Sequence, residues 1–223
     1  AQATGAWADA LRQKTGREHI RPLRGSHLLL PHWRLPMAHA VSFMHESDRR
    51  PVFVFPWEGA TVIGTTDLDH HESLNQDARI STEEVEYLLA ACAQKFPDAQ
   101  IKRDDVLSSW AGVRPVVSDS DDRAAPSDEK REHMLWVEPG CVTLAGGKLT
   151  TFRLLAQEVL EACARFVGKP VSNSGQAVFR PLTDYPLPGL TVGQKRRLSG
   201  RHGQALPQLA ALLDELGGQP IAS

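Results

Sequence analysis

The stretch that most constrains the fold lies around position 146. Cys141, Val142, Thr143, Leu144 and Ala145 form a short apolar run of the length expected for a buried strand. Gly146 and Gly147 follow it, and paired glycines permit both a tight turn and close approach of a ligand to the backbone. Beyond Lys148 and Leu149, the positions Phe152, Leu155, Val159, Ala162 and Phe166 recur at helical spacing, and Thr150 or Thr151 is placed to cap that helix. A strand, a glycine turn and a helix start present unpaired N–H groups and a partial positive charge at one point. Such a point suits a phosphate, or an electron-rich ring that gains negative charge on reduction. A nucleotide P-loop is excluded by spacing, because the positions that need glycine and Ser/Thr hold Val142 and Leu149. A purely structural glycine turn fits the same residues.

Bulk properties narrow the class. The 223 residues suffice for one large or two modest domains, and 41% hydrophobic with 23% charged residues is ordinary globular composition. A formal net charge of −2 provides no global basic field, so no nucleic-acid partner is expected. Cys92, Cys141 and Cys163 are far apart and form no C-x-x-C, which favours a reduced setting.

Along the chain, Ala3, Thr4 and Gly5 read as the end of a strand, and residues 6–14 as a short helix. A chain that opens on a strand-to-helix turn is expected to be a piece of a longer protein. No G-x-G-x-x-G occurs, so a dinucleotide fingerprint is expected upstream. Arg21, Arg24, Gly25, Ser26 and His27 suggest a loop that runs into a strand at Leu28, Leu29 and Leu30. His27 alone reads as a packed or surface histidine. Residues 37–45, 51–56 and 60–66 read as strands, with Trp57, Glu58 and Gly59 as a hairpin turn, giving an antiparallel or mixed sheet. Asp67, Asp69, His70, His71 and Glu72 invite a metal site. Neighbours on a strand point to opposite faces, however, and no H-E-x-x-H spacing is present, so no metal is expected.

Ser81 and Glu84 form a capping box before the stripe Val85, Leu88, Leu89, Cys92 and Phe96, and Pro97 ends that helix. Arg114 stands between Gly112 and Pro115 in an extended or turned segment. An arginine set there suits forked recognition of phosphate or carboxylate, or a surface ion pair. Residues 118–132 read as a polar loop, and a strand follows at 134–138. Residues 171–189 read as a linker, and the tail holds helical pieces at 192–198 and 206–216, the latter with Leu209, Leu212, Leu213 and Leu216 in register.

Four stretches in this order, Ala3–Trp7, Gly25–His27, Gly64–Asp67 with Gly112–Pro115, and Ala145–Arg153, resemble the FAD-dependent glycerol-3-phosphate dehydrogenase family. The resemblance implies an α/β (α+β) fold similar to D-amino-acid oxidase: part of a doubly wound FAD-binding domain and a β-sheet substrate domain. It divides the chain into an FAD-domain segment at 1–16, a substrate domain at 20–105, and a return segment of the FAD domain at 106–168. A linker at 169–190 and the start of a helical C-terminal domain at 191–223 complete it.

The implied activity is oxidation of sn-glycerol 3-phosphate to dihydroxyacetone phosphate, with FAD as hydride acceptor and quinone as electron acceptor. The implied setting is cytoplasmic, peripheral on the inner face of the membrane, with a homodimer as candidate assembly. A glycerol-3-phosphate oxidase that uses oxygen and a non-catalytic flavoprotein-derived module are the alternatives. Carried over residue by residue, Thr4, Gly5, Gly147, Lys148, Leu149 and Thr150 would adjoin FAD. Thr65, Arg114, Arg131 and Lys148 would bind substrate. Arg114 and His27 would be catalytic, His27 as the base that removes a proton, since a neutral imidazole suits that work. Arg24 has no assigned role. This piece alone is expected to retain no FAD and to be inactive.

Overall fold

The computed structural model describes residues 1–12, 18–118, 132–170, 177–179, 181 and 185–217. The chain divides into two compact units, Ala1–Val171 and Ser172–Ser223.

In the first unit, a six-stranded sheet is built around β1 (Ile20–Pro31). On one side β1 pairs with β4 (Ala60–Gly64) and β5 (Leu68–Asp69), and on the other with β6 (Ser108–Val117). β3 (Pro51–Trp57) extends the sheet from β4, and β2 (Val41–Met44) closes that edge. Every pairing is antiparallel. The β3–β4 hairpin turns on Glu58 and Gly59, both at positive φ (52° and 84°), which matches the right-handed twist of the flanking strands.

The expected loop at 20–27 is instead strand throughout. Pro22 is accommodated because its carbonyl accepts from the amide of His70 on the β5 side. Its nitrogen faces the same way, so no donor is lost toward β6, where Pro115 stands opposite. Residues 108–117, assigned from the resemblance to the return segment of the FAD domain, pair with β1 over their whole length and so share its sheet.

One face of the sheet is covered by α2 (Thr82–Lys95), which starts on the expected Ser81–Glu84 capping box and ends before Pro97. Leu88, Leu89 and Cys92 of its stripe pack into Leu28, Leu30, Val52, Val54 and Ile63, with Val85 and Phe96 at the margin.

A smaller layer pairs β7 (His133–Glu138) with β8 (Cys141–Gly146). Gln2 bridges Thr143 in parallel, and the chain then turns through Gly5–Trp7 into α1 (Ala8–Arg12). α3 (Phe152–Val167) packs on β8 and ends on Gly168 in the left-handed conformation. Of its expected stripe only Leu155 and Ala162 are buried, while Phe152 and Phe166 are exposed.

In the second unit, α4 (Val192–His202) begins on a Thr191–Gln194 capping box, and α5 (Leu206–Leu216) follows a short turn. Tyr185, Leu187 and Leu190, expected in a linker, pack with Leu206 and Ala210. Leu212, Leu213 and Leu216 are exposed, because the face of α5 that meets those residues is the one carrying Leu206, Leu209 and Ala210. Among the described residues, no helix is long and apolar enough to cross a membrane.

Candidate active site

The face of the sheet opposite α2 carries the candidate site. Strand alternation puts Gly25 and His27 of β1 on that face, and the register sets Gly112 and Trp110 of β6 directly across from them. His27 also faces Gly64 of β4. Its ring stacks on Trp110, with centroids 5.0 Å apart and planes inclined by 15°. Gly64 is required here, since a Cβ on it would lie 2.2 Å from Cδ2 of His27. Burial, and then the charge of Arg114, lower the His27 pKa below its usual 6.5, so the ring is neutral at pH 7. Its Nδ1 is buried without a hydrogen-bond partner.

Arg114 reaches along the sheet over Gly25. Its Nη1 donates to Oδ1 of Asp67 at 2.7 Å, and its Nη2 donates to Oγ1 of Thr65 at 3.1 Å. Gly25 leaves the space, because a Cβ there would stand 2.3 Å from Nη2 of Arg114. The ion-pair reading of this arginine is what the structure shows, and with 31% of its side chain exposed it also fronts a cleft.

That cleft, of about 350 Å³, is lined by Arg114, Pro115 and Val116 of β6, by Glu132, and by Gly146, Gly147, Lys148 and Leu149. Gly146 and Gly147 have φ of 76° and 81°, the region open to glycine. A Cβ on Gly147 would also fall 2.6 Å from Cδ1 of Leu155. Lys148 is extended, and a 3-10 turn at Leu149–Thr151 leads into α3. Neither threonine caps the helix. Oγ1 of Thr151 donates backward to the carbonyl of Lys148 at 3.0 Å, and neither Lys148 nor Thr151 makes a side-chain cap.

The structure therefore gathers Arg114, Gly147, Lys148 and Leu149 on one cleft, with Thr65 bonded to Arg114 and His27 further along the same sheet face. Gly5 sits behind the cleft, where a Cβ would be 3.9 Å from Cγ of Pro115. Oγ1 of Thr4 is buried without a hydrogen-bond partner. Thr150 is exposed and does not line the cleft. Arg131 lies outside the described residues.

The acidic residues considered as metal ligands are engaged with arginines: Asp67 with Arg114, Asp69 with Arg21 at 2.6 Å, and Glu72 with Arg24 at 3.6 Å. Among the described residues, no group of three or more His, Cys, Asp or Glu could hold a metal ion. Asp67, Gly25, Gly64 and Trp110 are the site residues that sequence reasoning missed. Their roles come from cross-strand register, which no local pattern carries.

Comparison with known proteins places the chain in a family. The family described as FAD dependent oxidoreductase matches residues 2–161. The aerobic glycerol-3-phosphate dehydrogenase of Bacillus subtilis (strain 168) is 32% identical over 227 residues, covering 99% of this chain and 40% of that protein. The protein of the same name from Staphylococcus haemolyticus (strain JCSC1435) is 34% identical over 167 residues, covering 73% of this chain and 29% of its own length. The chain thus spans less than half the length of these relatives. Among solved structures, the glycerol-3-phosphate dehydrogenase from Bacillus halodurans complexed with FAD matches with a TM-score of 0.64 at 30% identity, over 95% of this chain and 41% of that one. With a D-amino-acid-oxidase-like fold and a family match over most of its length, the chain belongs to the FAD dependent oxidoreductases.

Proposed function

We propose that this chain carries the substrate-facing sheet and the flavin-facing turn of an enzyme that oxidises sn-glycerol 3-phosphate to dihydroxyacetone phosphate. The observation that carries the reading is the single cleft shared by Arg114, held by Asp67 and Thr65, and by Gly147, Lys148 and Leu149.

The residues present fit FAD. Two successive left-handed glycines leave bare backbone at the cleft, the α3 entrance has no side-chain cap, and Thr4 offers a buried hydroxyl without a partner. FAD, when bound, supplies the acceptor for the hydride that leaves C2 of the substrate. Lys148 and the α3 entrance place positive potential beside it. Residues 1–16 and the β7–β8–α3 layer are the part of the chain assigned to FAD, and the six-stranded sheet is the part assigned to substrate.

Arg114 provides forked donors for the phosphate or a substrate oxygen, and the Asp67 carboxylate fixes its plane. His27 accepts the proton of the C2 hydroxyl. Its Nδ1 is buried, so that proton goes to Nε2. Because the His27 pKa is lowered, the ring stays unprotonated to below pH 6.5, and the rate should fall as pH drops through the lowered value.

Quinone as the final acceptor and a peripheral position on the cytoplasmic face of the membrane belong to the same proposal. An oxidase would instead reduce oxygen, and peroxide yield separates the two. The test uses the full-length parent protein loaded with FAD. Arg114→Met should raise KM for glycerol 3-phosphate about 10- to 100-fold, the equivalent of one or two lost charge-assisted hydrogen bonds. His27→Gln should lower kcat and remove the acid limb of the pH profile. Unchanged KM in the first variant would refute the substrate role of the cleft, and an unchanged pH profile in the second would remove His27 as the base.

A further inference from the structure

Glu84 has a role that a capping box does not explain. As the third residue of α2 it accepts from the Ser81 amide at 2.9 Å, which an exposed carboxylate could do equally well. Yet it is only 2% exposed, and burial of a charge is costly unless every acceptor site is filled. Here they are filled. Oε1 accepts from Oγ of Ser26 at 2.8 Å and from Oγ1 of Thr66 at 2.6 Å. Oε2 accepts from the Ser81 amide and from Nη2 of Arg24 at 3.0 Å. Burial pushes the carboxyl pKa up, but the bonds from Thr66, Ser81 and Ser26 and the charge of Arg24 outweigh it, leaving the group ionised at neutral pH.

The donors sit one position away from the candidate site. Ser26 lies between Gly25 and His27, and Thr66 lies between Thr65 and Asp67. Strand alternation turns Ser26 toward α2, while a Cβ on Gly25 would meet Arg114 and Thr65 on the other face. Oγ1 of Thr66 also accepts the Ser26 amide at 2.9 Å, and the Thr66 amide donates to the Ser26 carbonyl at 3.4 Å, so the β1 backbone and the 65–67 segment are tied together. Arg50, just before β3, holds the same segment from the β3 side through Nη1 to the carbonyl of Asp67.

From this arrangement we infer that Glu84 is a positioning residue for substrate binding. Acting through the sheet, its carboxylate fixes Thr66 and Ser26, and thereby sets Thr65 and Asp67, which hold the Arg114 guanidinium. The inference rests on the substrate role proposed for Arg114. It also gives Arg24 a function, as the charge partner of Glu84 on the α2 side.

The test uses the FAD-loaded, full-length parent. In Glu84→Gln one oxygen can still accept from Ser81 and Arg24. The amide nitrogen then meets the two hydroxyls, which must reverse their bonds. The expected result is a rise in KM for glycerol 3-phosphate of about tenfold, with kcat within about threefold and FAD content unchanged. Calorimetric Kd for glycerol 3-phosphate should rise in parallel. Glu84→Asp, one methylene shorter, should not restore the wild-type KM.

In an Arg114→Met background, Glu84→Gln should add nothing further, because both act on one interaction. Should Glu84→Gln lose FAD, Thr66→Val supplies the same reading: it should raise KM, and Thr66→Ser, which keeps the hydroxyl, should return it. A KM and Kd within twofold of wild type in Glu84→Gln or Thr66→Val, with Arg114→Met still impaired, would overturn the role of Glu84 alone. Full additivity of Glu84→Gln and Arg114→Met would overturn it too. An Arg114→Met variant with normal KM would overturn both this inference and the substrate reading beneath it.

Discussion

Replacing Gly25 with alanine separates stability from substrate affinity in one substitution. The backbone tolerates alanine, since Gly25 lies in β1 and is not among the glycines at positive φ. Loss of glycine's freedom in the unfolded chain favours the variant by about 0.4–1 kcal/mol. The new methyl group, however, would lie 2.3 Å from Nη2 and 2.8 Å from Cζ of Arg114, and 2.7 Å from Oγ1 of Thr65. These atoms are at the ends of side chains, so the guanidinium swings away and the backbone stays. The swing breaks the bonds to Asp67 and Thr65. With Arg114 31% and Asp67 9% exposed, solvent reduces the value of that pair to about 1 kcal/mol. The two effects nearly cancel, and the expected fall in Tm is below about 4 °C.

Substrate affinity has no such compensation. If Arg114 holds the phosphate, its displacement should raise KM in the full-length parent about 10- to 100-fold. Thermal melting of the variant and steady-state kinetics with a dye acceptor read the two quantities separately. Gly112→Ala is the control for melting, because a Cβ there has nothing within 4 Å. A KM within twofold of wild type would refute the reasoning at the site. A fall in Tm beyond about 10 °C would refute the claim that only a side chain moves.

Three further outcomes are expected. Leu88→Ala removes a fully buried side chain between α2 and the sheet and should cost about 2–5 kcal/mol in denaturant unfolding, whereas Leu160→Ala, exposed on α3, should stay within about 0.5 kcal/mol. Hydrogen bonding from Arg34 holds the Asp105 carboxyl at about 2 against an ordinary 3.8, so its contribution is fully present above pH 3.8 and is lost as pH falls toward 2. Denaturation midpoints across that range should show Arg34→Ala losing this part of the acid dependence. Burial pushes the Cys92 thiol up to about 12, so a thiol reagent at pH 8 should spare Cys92 in the folded chain and modify it only after unfolding.

Elements whose signals are local could be read from sequence. The α2 helix declared itself through Ser81, Glu84, its apolar stripe and Pro97, and the β3–β4 hairpin through its β-formers and Glu58–Gly59. β1 could not be read in this way. Pro22, Gly25 and Ser26 are loop signals, overridden by pairing on both sides and by the outward aim of the Pro22 nitrogen. The α3 stripe has the right period, but how much of it is buried depends on its neighbours, and only Leu155 and Ala162 are covered. At the site, Arg114 and the 147–149 turn were recognisable as chemistry. Asp67 reads as a candidate metal ligand, because nothing in the order of residues shows that Arg114 lies beside it. Glu84 was legible as a cap, while its burial under Ser26 and Thr66 was not.

The central place of β1 also bears on how the chain is made. During synthesis at about 5–20 residues per second, β1 can recruit β4 within the next stretch of chain. Its other edge has no partner until Ser108–Val117 has left the ribosome. For several seconds, therefore, a nascent strand bearing Leu28, Leu29 and Leu30 displays open amides and carbonyls along one side. That interval is when a holding chaperone would be of most use to this chain, and when its misassembly with a neighbouring copy would begin.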